Sequence, residues 1–162
     1  MNESKISFNV NLAAKEVSPN SVYRGGPYQI QGEEELWILT EIKNLCPDKD
    51  IVAEGVRLAM EINRISDTET VVESIVTCPD AEPDESRCSI RFICDKPFEL
   101  QYYEGSDYLY SEYRGLDGQY GIPLMRSVMI YNGALIGFED VDGKIPGGMN
   151  NRVSVSIKVK VL

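Results

Sequence analysis

Val153-Ser154-Val155-Ser156-Ile157-Lys158-Val159-Lys160-Val161 alternates strictly between β-branched and polar residues. Side chains of a strand point to opposite faces with a period of two, so this pattern predicts a strand with one buried face. Five β-branched residues on that face suit a pleated, half-buried surface. The lysines on the other face discourage edge-to-edge pairing. Near the opposite end, Ile6, Phe8, Val10 and Leu12 alternate with Ser7, Asn9 and Asn11 and give the same reading. Both termini therefore predict strands.

Several interior segments agree. Leu36 to Ile42 reads as a strand with both faces partly covered, although Leu36, Leu39, Ile42 and Leu45 also have helical spacing. Cys88, Ile90, Phe92 and Cys94 share one face of a further strand. Asn132-Gly133 between Ser127–Tyr131 and Ala134–Ile136 predicts a tight hairpin, because both residues tolerate positive φ. Two readings stay open for 50–65. As a helix, Asp50, Glu54, Arg57, Glu61 and Arg64 form one charged stripe. As a strand, Val56, Leu58, Met60 and Ile62 share a face, and Ser66-Asp67-Thr68-Glu69 turns the chain back into Val71–Val76. Turn signals such as Ser18-Pro19-Asn20, Gly25-Gly26-Pro27 and Pro146-Gly147-Gly148 separate the runs. The prediction is a mainly β fold, an antiparallel β-sandwich of Ig-like or jelly-roll-like type, with a helix at about 50–65 as the one alternative element. It forms a single domain over 1–162, within which 1–13 is positioned to act as a pairing or donor strand for a neighbouring subunit.

Composition narrows the chemistry. The chain has 162 residues and no histidine. Ser-His-Asp and Cys-His catalysis and histidine-held zinc are thereby excluded. With 26 acidic and 16 basic residues the formal charge is −10, which opposes nucleic-acid binding and attachment to anionic membranes. No apolar run approaches the ~18 residues of a membrane span, so no membrane insertion is expected. The polar start, Met1 to Lys5, lacks the apolar core of a signal peptide. The four cysteines, Cys46, Cys78, Cys88 and Cys94, show no Cys-x-x-Cys spacing. They are disulfide candidates, with Cys78 and Cys88 flanking a short acidic loop. Bridged, they imply an extracellular, cell-surface or virion location; reduced, they are compatible with the cytoplasm.

The binding candidates lie in one region. Tyr102, Tyr103, Tyr108, Tyr110, Tyr113, Tyr120 and Tyr131 all fall between positions 102 and 131. Tyrosine offers a flat apolar face and a polar tip at low entropy cost, which recognition surfaces favour. Tyr102, Tyr103, Asp107, Tyr108, Tyr110, Glu112, Tyr113 and Arg114 are the predicted ligand-binding residues, suited to a protein or carbohydrate partner. Glu139, Asp140 and Asp142 form an acidic turn and are candidate calcium ligands, without the spacing of an EF-hand. Asp107 and Glu112 are the carboxylate pair that glycoside hydrolysis would require. The expected function is non-enzymatic binding or assembly: a surface adhesin, a filament or virion subunit with self-assembly, or a carbohydrate-binding module. The alternatives are a carboxylate-based glycosidase and a calcium-dependent binding domain.

Overall fold

The computed structural model describes residues 5–111 and 121–162. Among the described residues every regular element is a strand. The long ones are β1 (Phe8–Glu16), β3 (Glu35–Asn44), β5 (Arg57–Ser66), β6 (Glu69–Thr77), β7 (Glu85–Ile93) and β13 (Val153–Val161). The short ones are β2 (Tyr28–Gln29), β4 (Val52–Ala53), β8 (Leu100–Tyr102), β9 (Tyr108–Ser111), β10 (Ile122–Pro123), β11 (Ala134–Leu135) and β12 (Ile145–Pro146). They build a β-sandwich. One main sheet has the order β1-β3-β13-β9-β10, with β8 also pairing β13; the second has the order β11-β5-β6-β7-β2, and β4 and β12 pair apart from both. Pairing between described strands is antiparallel except where β2 lies parallel to β7, and an isolated bridge between Ile6 and Ala81 is also parallel.

The alternation at the C-terminus decides this arrangement. Val153, Val155, Ile157, Val159 and Val161 are all buried, and β13 runs through the middle of its sheet between β3 and the β8–β9 pair. From β3, Leu36, Ile38 and Ile42 join them. Met60, Val72, Val76, Ile90 and Phe92 close the core from the other sheet. Fully burying a side chain of this kind is worth roughly 1.5–3 kcal/mol. Polar links cross the apolar layer at Thr40: its hydroxyl, on β3, lies 2.8 Å from that of Ser74 on β6, both buried, and also reaches Met60 Sδ on β5 at 3.7 Å. A buried hydroxyl is costly unless paired, so each residue depends on the other sheet being in register.

The segment 50–65 is strand. Gly55 sits at φ 74°, a left-handed conformation that interrupts any helix there, and β5 pairs with β6 over nearly its whole length. Pairing on both sides of β5 overrides the helical preference of Ala, Met, Glu and Leu. The Asn132-Gly133 signal leads elsewhere than expected. Both residues have positive φ (65° and 59°), but Ser127–Tyr131 forms no strand, and Ala134–Leu135 pairs with β5 instead. A Cβ on Gly133 would lie 1.9 Å from the Leu58 carbonyl oxygen, so the close approach of this turn to β5 requires glycine.

Strand β1 forms one edge of its sheet. Residues 1–4, at the start of the expected donor segment, lie outside the described residues, while Phe8–Glu16 pairs within its own chain against β3. Two other pieces of chain touch its outer side. Ala14 and Arg24 exchange both backbone hydrogen bonds at 3.0 Å, and the Glu82 N–H donates to the Ile6 carbonyl at 2.8 Å.

Candidate functional site

Because side chains alternate along a strand, the buried set in β3, β9 and β13 fixes what those strands present to the outside. On β3 the outward residues are Glu35, Trp37, Leu39 and Glu41; on β13, Ser154, Ser156 and Lys158; on β9, Tyr108 and Tyr110. Register places Leu39, Ser156 and Tyr108 in one row and Glu41, Ser154 and Tyr110 in the next. Tyr108 and Tyr110 stand nearly parallel, ring centroids 6.4 Å apart and planes 24° apart. Gly121 lies against the Tyr110 ring, where a Cβ would come within 2.2 Å of a ring carbon. The result is a half-buried aromatic and aliphatic face on the outside of the six-stranded sheet.

Charged groups frame one end of it. Lys158 Nζ sits 5.8 Å from the Trp37 ring centre and 5.2 Å from that of Tyr103, and pairs with Glu35 at 2.8 Å. Tyr103 donates to Glu35 at 3.2 Å. The Lys158 hydrogen bond holds the Glu35 carboxyl below its ordinary value. Lys15 Nζ lies 4.6 Å from the Tyr23 ring centre. Burial pushes the Tyr23 phenol above its ordinary value, and Tyr110 adds to the push. One hydroxyl in the central row is unusual. Ser156, only 2% exposed, has a buried Oγ without a hydrogen-bond partner among the described residues.

The outside of the second sheet is chemically different. There Arg87 pairs with Glu73 at 2.8 Å and with Glu85, and Arg91 grips Glu69 through two hydrogen bonds of 3.0 and 3.2 Å. These carboxylates and guanidiniums neutralise one another across neighbouring strands. No aromatic side chain stands on β5, β6 or the outward positions of β7.

The predicted tyrosine cluster is thus divided. Tyr103, Tyr108 and Tyr110 stand on the aromatic face. Tyr102 and Asp107 turn inward. Asp107 is 1% exposed and accepts hydrogen bonds from the Tyr102 hydroxyl, from Ser127 Oγ at 3.1 Å and from the Val128 N–H at 2.8 Å. Burial, and then the hydrogen bond to Asp107, push the Tyr102 phenol up to about 12. Asp107 therefore clasps the crossover from β10 to β11 and presents no accessible carboxylate for hydrolysis. Glu112, Tyr113 and Arg114, like Tyr120, lie outside the described residues. Trp37, Leu39 and Tyr23 belong to the face although they stand far from the cluster in sequence. The alternation of β3 around buried Leu36 and Ile38 is the signal that could have found the first two.

The other candidates separate as well. Asp140 accepts from the Val141 N–H at 2.7 Å and Asp142 from the Lys144 N–H at 3.0 Å, so both carboxylates serve their own turn. Among the described residues no group of three or more Cys, Asp or Glu side chains is placed to hold a metal ion. The disulfide expectation is corrected: Cys46, Cys78, Cys88 and Cys94 are all free thiols. On the β6–β7 ladder Cys88 faces Ser74, whereas the Cys78 N–H donates to Asp84. Four residues of strand, roughly 13 Å, separate the two positions, beyond what a disulfide spans. Burial also raises the Cys78 thiol above its ordinary value.

Compared with protein-family models, curated proteins and solved structures, the chain finds no match.

Proposed function

We propose that this protein is a non-enzymatic binding domain that takes carbohydrate on the outer face of its six-stranded sheet. The observation that supports this is the asymmetry between the two outer faces. Both faces pair charges, but only one of them displays aromatic side chains: Trp37, Leu39, Tyr108 and Tyr110 stand in adjacent rows with Glu41, paired to Arg152, and Ser154 beside them. Aromatic faces cover the C–H faces of pyranose rings, while the flanking carboxylate and hydroxyl bond to sugar hydroxyls. Half-buried aromatic side chains have few rotatable bonds and lose little entropy on binding.

Trp37 is the single tryptophan of the chain, so its emission reports on this face alone. Titration with a panel of α- and β-linked hexasaccharides should shift or quench that emission saturably for at least one linkage. Y108A/Y110A should abolish the change while leaving the urea midpoint within experimental scatter of wild type minus the small loss expected for half-exposed side chains. A panel that leaves Trp37 emission unmoved, or a double variant that binds as wild type does, refutes the proposal.

A further inference from the structure

A second concave site lies away from the aromatic face, where the crossover clasped by Asp107 meets the edge strand β11. It is a groove of about 410 Å³ lined chiefly by Arg57, Leu124, Met125, Arg126, Leu135 and Val141. That volume falls within the ~300–1,000 Å³ of small-molecule sites. We propose that this groove binds an aliphatic carboxylate, with the acid group at Arg57 and the hydrocarbon chain along Leu124, Leu135 and Val141.

Two features carry the assignment, and a third reports on it. The lining is largely apolar, and Met125 is 98% exposed and Val141 40%, so solvated hydrocarbon surface stands at the mouth waiting to be covered. The charge at Arg57 is uncommitted. Every other described arginine meets a carboxylate, an aromatic ring or a backbone carbonyl; Arg57 meets none of these. In a chain of net charge −10, a guanidinium left without a carboxylate beside an apolar groove is complementary to an anion supplied from outside. Finally, β11 is the outer strand of its sheet. Ile136 turns its N–H toward β5, bonding Val56 at 3.1 Å, so by alternation Leu135 turns its N–H and C=O away from β5, without a partner among the described residues. Leu135 is itself part of the groove lining, so this N–H stands at the groove's rim and reports on its occupation. Arg126 braces the wall instead, since its Nε donates to the Gly133 carbonyl at 2.8 Å.

Octanoate is the probe, followed by amide and methyl NMR with octanol and octylamine as controls. Octanoate should saturably shift the Leu135 amide and the Leu124 and Val141 methyls and leave the Trp37 indole signal unmoved. R57M should weaken octanoate at least about tenfold, the value of one charge-assisted hydrogen bond, and should reduce it to the affinity of octanol. V141D, which places a negative charge at the groove mouth without touching Arg57, should abolish octanoate binding and leave the spectrum of the rest of the chain in place. If octanoate shifts no groove resonance, or R57M and V141D bind it as wild type does, the assignment is wrong. Because the readouts are the groove resonances and not Trp37, this result is independent of whether oligosaccharides bind the aromatic face.

Discussion

Removing the Asp107 side chain should cost about 2–4 kcal/mol. The Tyr102 hydroxyl, Ser127 Oγ and the Val128 N–H all converge on this carboxylate inside the protein. Each hydrogen bond to a charged acceptor contributes roughly 1.5–3 kcal/mol, and burying the carboxylate subtracts several kcal/mol from their sum. In Asp107→Ala the two hydroxyls, already 3.0 Å apart, can bond to each other. The Val128 N–H cannot move and becomes a buried orphan, worth about 1–3 kcal/mol by itself. The cavity adds the remainder. Against a total stability of about 5–15 kcal/mol this is a large loss. With a urea m-value of roughly 1–3 kcal/mol/M the midpoint should fall by about 1–2 M at unchanged m. Amide exchange at Val128 should accelerate at the same time. Asp107→Asn can still accept from Val128 while its amide group donates to a rotated hydroxyl, so it should recover most of the loss. A midpoint shift below about 0.3 M for Asp107→Ala, or an Asn variant as unstable as the Ala variant, refutes the clasp.

Two further outcomes follow from individual positions. The Tyr102 phenol, raised from 10.0 to about 12, binds its proton more tightly in the folded state than in the unfolded one. Its contribution is therefore fully present below pH 10, and stability should fall as pH rises from about 10 to about 12; Tyr102→Phe should flatten that fall in pH-dependent denaturation. Gly133→Ala meets the Leu58 carbonyl at 1.9 Å in a left-handed conformation, whereas Gly105→Ala, at φ 79°, meets nothing within 4 Å. Thermal melts should give a loss above about 2 kcal/mol for the first and about 1 kcal/mol for the second; equal losses would mean that the turn's backbone conformation alone, and not its approach to β5, requires glycine.

The parts of the fold that could be read in the sequence are those in which one face is buried along a whole strand. β13 and β1 alternate because one face of each packs into the core between the sheets, whereas Val56–Ile62 and the Ser66–Glu69 turn leave strand and helix both open until the pairing of β5 with β6 decides for strand. What escaped depends on contacts distant in sequence. Asn132-Gly133 has the conformation its residues predict, but Asp107 captures the segment before it, twenty residues away, so the apolar run on that side never becomes a strand. The tyrosine cluster was visible as a cluster. Its division was not, because the chain leaves β8 at Tyr102 and re-enters the sheet at β9, so Tyr102 and Tyr103 face opposite ways. Cys78 and Cys88 looked bridgeable from their spacing around a loop, yet the ladder places them too far apart.

The chain segments that touch the outer side of β1 act as fence posts. Counting by alternation, Phe8, Val10 and Leu12 direct their N–H and C=O groups away from β3, between the contacts at Ile6 and at Ala14. An incoming strand would find three rungs and then a wall at each side. The nine-residue β1 of a second copy is too long for that opening, since its ends would collide with the Arg24 and Glu82 backbones. At this edge there is therefore room for a short extended peptide of about five residues and not for the intact nine-residue edge of a second copy, a local barrier to edge-to-edge pairing.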